Sequence, residues 1–351
     1  MDSTLDLLTL ALLPRLTPRA AAELMGRSPL ADALAWPDGH ADLLGAPALA
    51  ALRSGQARRE AEAEARRAER LGIRVVGRDE PDYPAWLRRV YAPPAVLWTR
   101  GRLVAGEGER AVAVVGSRAA TGLGLAFART LGRDLAAAGV VVVSGLARGI
   151  DAAAHRGALD ARGRTVAVLG SGLDQLYPPE NAALAQAIEE DGAVVSEFPL
   201  GTRPWQGNFP RRNRVISGWA RATVVVEAGA RSGALSTARA ALDEGRDVLA
   251  VPGHPSQPGA EGANALLRDG AVLARGAGDV LAELGLTPAA PGEENPADEV
   301  LAALARGVPA GVDEIQLRCG LALPALLARL AELEIQTALV RLPGALFVRR
   351  R

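Results

Sequence analysis

A doubly wound α/β fold is what the sequence predicts for residues 76–286, on three observations. Short continuous apolar runs recur from Arg110 onward: AVAVVGS, VVVVSG, RTVAVLGSG, AVVSEF, ATVVVEAG and DVLAVPG. Each run gives way to glycine or serine. An alanine-rich stretch at helical spacing then follows. Strands without polar alternation are buried on both faces, as happens when helices cover both sides of a parallel sheet.

The flanking segments read differently. Residues 1–75 carry Leu and Ala at helical spacing, interrupted by Pro14, Pro18, Pro29, Pro37 and Pro47, and predict a small all-α domain. It closes on SGQARREAEAEARRAERLG, Ser54 to Gly72, a charged helix ending at glycine. Asp79 to Gly101 is rich in proline and aromatics without periodicity, and reads as an ordered connector packed on the sheet domain. Beyond the sheet, residues 287–297 form a Pro/Gly/Glu-rich linker. Residues 298–351 read as helix, helix-turn-helix and a β-hairpin turning at LPGA, the order of a winged helix. Its recognition-helix candidate, LPALLARLAELE, has one arginine against two glutamates, which fits a protein-interaction or structural role better than DNA reading.

Composition narrows the function. The chain has 351 residues, zero formal net charge and 49% hydrophobic residues, enough for buried cores and against a grossly basic nucleic-acid-coating protein. Its basic residues are all arginine. One cysteine, Cys319, and three scattered histidines, His40, His155 and His254, offer neither a disulfide nor metal-ligand spacing. No cofactor is expected. The N-terminal apolar run is broken by Asp6, Pro14 and Arg15, so neither a signal peptide nor a membrane span is expected, and the location expected is the cytoplasm.

Chemistry is expected in the loops at the carboxyl ends of the strands. The first, GSRAATGLG, brings Gly116, Ser117 and Arg118 to a helix start. Backbone N–H groups and a guanidinium there suit a phosphate, but neither G-x-G-x-x-G nor a P-loop is present. The second, SGLARGIDAAAH, repeats the design with Ser144, Gly145, Arg148 and Gly149. Asp151 is expected to cap the next helix and His155 to make a structural hydrogen bond. The third, GSGLDQLYPPEN, has no basic residue and reads as a turn. The fourth, FPLGTRPWQGNFPRRNR, crowds Arg203, Asn208, Arg211, Arg212 and Arg214 among Phe198, Trp205 and Phe209. The fifth offers Arg231, Ser232 and Gly233 at another helix start. Loops one, two, four and five hold seven arginines against Asp151, Glu197 and Glu227, a basic rim hidden in a neutral chain. Arginine interleaved with aromatics suits single-stranded nucleic acid, through phosphate neutralisation and base stacking. Arg214 or Asn213 is the candidate for bracing the loop instead.

These blocks, with SEFPLGTRP, NFPRRNRVISGWA, EAGARSGALSTARAALDEGRDVLAVPG and GANALLRDGA, resemble the DNA processing protein A (DprA/Smf) family along the whole chain. The resemblance implies an extended Rossmann-like domain, a small N-terminal helical domain of the SAM or helix-hairpin-helix kind, and a C-terminal winged helix. It implies a non-enzymatic protein of natural transformation that binds and protects incoming single-stranded DNA, loads the RecA recombinase onto it, and forms homodimers through the Rossmann domain. Its DNA pocket is implied to use Gly116, Ser117 and Arg118 with Phe209, Arg211 and Arg212. The turn PRLTP, Pro14 to Pro18, departs from the PGIGP of relatives, so direct DNA contact by the N-terminal helices is not expected. The alternative is a nucleotide phosphoribohydrolase on a related fold, but PGGxGTxxE is missing from the fifth loop.

Overall fold

A computed structural model of the chain describes residues 3–286, 299–304, 309–335, 339–342 and 344–349. The linker expected at 287–297 lies outside them. The chain divides into two compact units, 1–288 and 289–351.

The first unit opens with five helices, α1 (Thr4–Ala11), α2 (Pro18–Arg27), α3 (Leu30–Ala35), α4 (Ala41–Arg53) and α5 (Gln56–Arg70). Ser3 and Thr17 accept N–H bonds at the starts of α1 and α2, which satisfies donors a helix start leaves unpaired. Pro18 opens α2, where its missing N–H costs nothing. Helix α5 buries Ala57, Ala61 and Ala68 and ends before Gly72, as its pattern predicts.

Nine strands make one sheet: β1 (Arg74–Gly77), β2 (Val96–Gly101), β3 (Ala111–Val115), β4 (Val141–Ser144), β5 (Thr165–Leu169), β6 (Ala193–Ser196), β7 (Ala222–Val225), β8 (Asp247–Ala250) and β9 (Val272–Leu273). Their spatial order is β1-β2-β6-β5-β4-β3-β7-β8-β9. All pairings from β6 to β9 are parallel, whereas β1 and β2 are antiparallel additions at one edge. The helices between strands are α6 (Ala85–Arg88), α7 (Gly122–Ala137), α8 (Ile150–Asp160), α9 (Ala182–Asp191), α10 (Asn208–Trp219), α11 (Ala234–Asp243) and α12 (Glu261–Arg268), and α13 (Ala277–Glu283) follows β9.

Two sequence expectations change. The connector of residues 79–101 ends in a true strand, β2, whose Val96 and Trp98 pack toward the N-terminal helices and whose Leu97 packs on the opposite face. Burial on both faces removed the alternation that would have revealed it. The helices of residues 1–75 are not a separate body. Leu7, Leu24 and Leu44 share one apolar cluster with Trp98, Leu169 and Leu184, and β1 straddles the expected boundary at 75.

The second unit contains α14 (Glu299–Ala302), β10 (Ala310–Gly311), α15 (Val312–Cys319), α16 (Leu323–Ile335), β11 (Leu339–Leu342) and β12 (Leu346–Arg349). The hairpin β11-β12 and the bridge to β10 form a three-stranded antiparallel sheet, a winged helix around Ile315, Leu326, Leu330 and Phe347. Pro343 of the expected turn lies outside the described residues. Among the described residues no helix is long and apolar enough to cross a membrane, and no group of three or more side chains could hold a metal.

Candidate functional site

Strand order reverses between β3 and β7: the chain steps outward from β3 to β6, then returns through α10 to β7 on the far side of β3. Loops leaving β3 and β7 diverge there, and open α/β sheets bind ligands in that crevice. A cavity of about 670 Å³ fills it, walled by Gly116, Ser117 and Arg118, by Phe209 and Asn213, and by Arg231, Ser232 and Gly233.

The first two loops lock together through glycine. Gly149 has φ +77°, and a Cβ there would lie 2.1 Å from the Ser117 carbonyl oxygen, which accepts from Ile150 N at 3.2 Å. At Gly116 a Cβ would lie 2.5 Å from Ile150 Cγ1. Gly149→Ala is therefore expected to destabilise the protein by ~2 kcal/mol or more, combining left-handed strain with a backbone clash, and a thermal midpoint measures it.

Several expected ligands are framework. Ser144 is fully buried and donates to Val114 O at 2.6 Å, tying β4 to β3. Gly145 donates to Asp151 Oδ2 at 3.1 Å, so Asp151 holds the loop backbone, and Gly149 occupies the cap position of α8 instead. Burial pushes the Asp151 carboxyl up. Arg212, 4% exposed, donates through Nη1 to Gly145 O at 2.7 Å and to Val168 O at 2.5 Å, and through Nε to Asn213 Oδ1 at 3.2 Å. Burial draws its guanidinium down to about 10, still charged at neutral pH. It floors the cavity with most of its hydrogen bonds committed to the protein, a correction to its expected role as a phosphate ligand. Arg214 bonds Ala92 O and Glu197 Oε2, each at 2.5 Å, and braces the loop as its alternative reading held. Phe198 is 3% exposed and belongs to the core, not to a stacking surface.

The remaining residues form the rim. Arg118 lies over the Phe209 ring, guanidinium carbon 4.6 Å from the centroid. Tyr177 flanks the same ring at 6.1 Å and carries Arg148 over its own face at 5.8 Å. A side chain at Gly170 would strike Phe209, its Cβ 2.8 Å from Cδ1. Arg148 is ion-paired with Glu180, and Arg211 with Glu197 at 3.4 Å while lying over Phe198 at 4.9 Å. Arg203 and Arg231 are exposed, and among the described residues neither they nor Arg118 make an ion pair. Trp205, on the same loop as Arg203, is 69% exposed. Asn208 opens α10, its amide 3.5 Å from Arg203 O. Ser232 Oγ accepts from Ala234 N at 3.3 Å, and Gly233 stands at the cap of α11 with open space around it.

Sequence reading missed Tyr177, because its loop was judged by charge alone. An aromatic before two prolines at a strand's carboxyl end was the available signal. It also left Asn213 at a bracing role without its target. Asn213 Nδ2 donates to Ser236 Oγ at 2.7 Å and so joins α10 to α11 across the crevice. Glu227, counted against the rim, accepts from Thr121 N at 3.2 Å and Thr121 Oγ1 at 2.8 Å, committed to the start of α7.

His155 makes the expected structural bond, Nδ1 to Thr165 Oγ1 at 2.7 Å. Burial first, then Arg212, lowers it from 6.5 to about 3. Between those values the unfolded chain binds a proton that the folded chain does not, so this site's contribution falls as pH drops below 6.5. The slope is about 1.4 kcal/mol per pH unit. Subtracting the stability curve of His155→Gln from that of the parent is expected to isolate this slope, since the raised Asp151 acts with the opposite sign in both.

The DNA recombination-mediator protein A family matches residues 74–285, and the DprA winged helix domain matches residues 276–345. The chain belongs to this recombination-mediator family. Among DprA/Smf relatives, Protein Smf of Escherichia coli is 41% identical over 294 residues, covering 79% of this chain and 77% of that one. Protein Smf of Synechocystis sp. is 44% identical over 213 residues, 60% of this chain and 54% of the relative, so that match spans about half of the relative's length. The X-ray structure of DprA from Streptococcus pneumoniae matches with a TM-score of 0.70 at 33% identity, over 80% of this chain and 98% of that one.

Proposed function

We propose that the protein binds single-stranded DNA along the β3/β7 crevice, without catalysis, and in natural transformation protects incoming strands and passes them to the RecA recombinase. The observation that carries this reading is the Arg118–Phe209 stack at the mouth of the cavity, with unpaired Arg231 lining the same cavity and unpaired Arg203 exposed on the loop that leads to Phe209. A guanidinium and a ring in one stack offer a strand both a phosphate partner and a base-sized flat surface. Several helix starts along one sheet edge suit phosphates that repeat, more than a single nucleotide requires. A solved structure of DNA processing protein A from Helicobacter pylori, described for its unique single-stranded DNA binding mode, supports the reading at 27% identity and a TM-score of 0.54 over 60% of this chain. The protein acts in the cytoplasm as a homodimer joined through the sheet domain.

Titration of short single-stranded and duplex oligonucleotides at two salt concentrations, followed by anisotropy, tests this. Tighter binding of the single strand, weakening steeply with salt and indifferent to sequence, is expected. Base release from nucleoside monophosphates would instead establish the phosphoribohydrolase reading. Failure to accelerate RecA assembly on coated strands would remove the loading role alone.

A further inference from the structure

The N-terminal helices take no part in the cavity, yet α5 grips the loop that leads to Phe209. Glu64 Oε1 accepts from Leu200 N at 2.7 Å. One turn later Arg67 Nη2 donates to Asp174 Oδ2 at 2.7 Å, and Asp174 Oδ1 accepts from Gly201 N, also at 2.7 Å. Neither amide has a backbone acceptor among the described hydrogen bonds, so the carboxylates supply what the loop itself cannot. Asp174 is no ordinary surface partner: its side chain is 13% exposed and both oxygens are occupied. Leu200 sits in the apolar cluster of the helices, with Leu24, Leu44 and Ala61. Gly201 then turns the chain at φ +83°, Thr202 O accepts from Gly172 N at 2.9 Å, and Arg203 begins the exposed rim. From Arg203 to Asn208 the hydrogen bonds among the described residues are internal: Asn208 N to Trp205 O, and the Asn208 amide to Arg203 O.

We propose that Glu64, Arg67 and Asp174 are positioning residues of the strand-binding site. Through them the N-terminal helices fix where residues 203–209 stand and raise affinity for a strand they do not touch. A rim anchored at only one end loses more conformational entropy on binding, which lowers affinity without removing any contact. This rests on the single-strand reading above.

The full-length chain tests it with Glu64→Ala, Arg67→Ala and Glu64→Gln, whose amide oxygen still accepts. The measurements are the dissociation constant for a labelled oligothymidine at two salt concentrations, amide hydrogen exchange across 198–209, and the thermal midpoint. The alanine variants are expected to bind about three- to tenfold more weakly, the scale of one hydrogen bond. Their salt dependence stays unchanged, because no phosphate contact is lost, while exchange at Leu200 and Gly201 accelerates. Glu64→Gln should return to within about twofold of the parent, since its neutral acceptor keeps the bond. Unchanged affinity despite faster exchange would overturn the proposal, leaving the clamp purely structural. A reduced salt slope would overturn it too, by making Arg67 a direct phosphate contact. Absence of binding by the parent chain would defeat the single-strand reading itself, a result distinct from either.

Discussion

Arg118→Ala is expected to weaken single-stranded oligonucleotide binding by roughly ten- to a hundredfold, the scale of one charge-assisted phosphate contact. The fold should be unaffected, because Arg118 lies over Phe209 at 4.6 Å and makes no ion pair among the described residues. The salt dependence should flatten by about 0.7 in log–log slope, the counterions released by one neutralised phosphate on a single strand. Phe209→Ala should weaken binding to a similar degree, ~1–3 kcal/mol for a stacked base, but leave that slope intact. The double variant should lose less than the sum, since ring and guanidinium form one stack and each positions the other. Anisotropy titrations of the three variants at two salt concentrations decide this. A slope unchanged in Arg118→Ala would remove that residue from the phosphate path.

Arg212→Met should damage the fold instead. It removes the donor to the carbonyls of Gly145 and Val168 and leaves buried Asp151 without the stronger of its two nearby positive charges, Arg118 being the other. Removing one partner from such a buried charged network costs about 3–5 kcal/mol. The thermal midpoint should drop sharply, and any loss of binding should follow the loss of folded protein. Gly145→Ala should act through the same contact, since a Cβ there would lie 2.4 Å from Arg212 Nη1. Arg211→Ala, one residue away, should do the opposite: the side chain is 44% exposed, so the protein stays folded and binding weakens a fewfold. A stable, weakly binding Arg212→Met would restore that residue as a ligand.

The adjacent arginines show how far the sequence reaches. RRNR presents Arg211 and Arg212 as equivalent, because composition reports charge and not direction. Helical geometry separates them: successive residues on α10 point about 100° apart, so Arg212 turns into the sheet while Arg211 turns outward. The same blindness counted Phe198 with Phe209 and overlooked Tyr177, whose loop carries no basic residue. It also made β2 a connector, because a strand buried on both faces within a proline-rich stretch has no period to read.

What the amino-acid sequence determined by itself was the local and the repetitive: six apolar strands with glycine-ended loops, the helix ends, the winged-helix order and the family. These follow from backbone propensity and burial pattern, which neighbouring residues encode. Only the tertiary structure decided which arginines face solvent, which carboxylates hold loops, and that the N-terminal helices share a core with the sheet and clamp its fourth loop. Those outcomes depend on contacts such as Glu64 with Leu200 and Arg212 with Gly145, made between residues 136 and 67 positions apart. No local pattern records such pairs, because their energy exists only once the chain has closed upon itself.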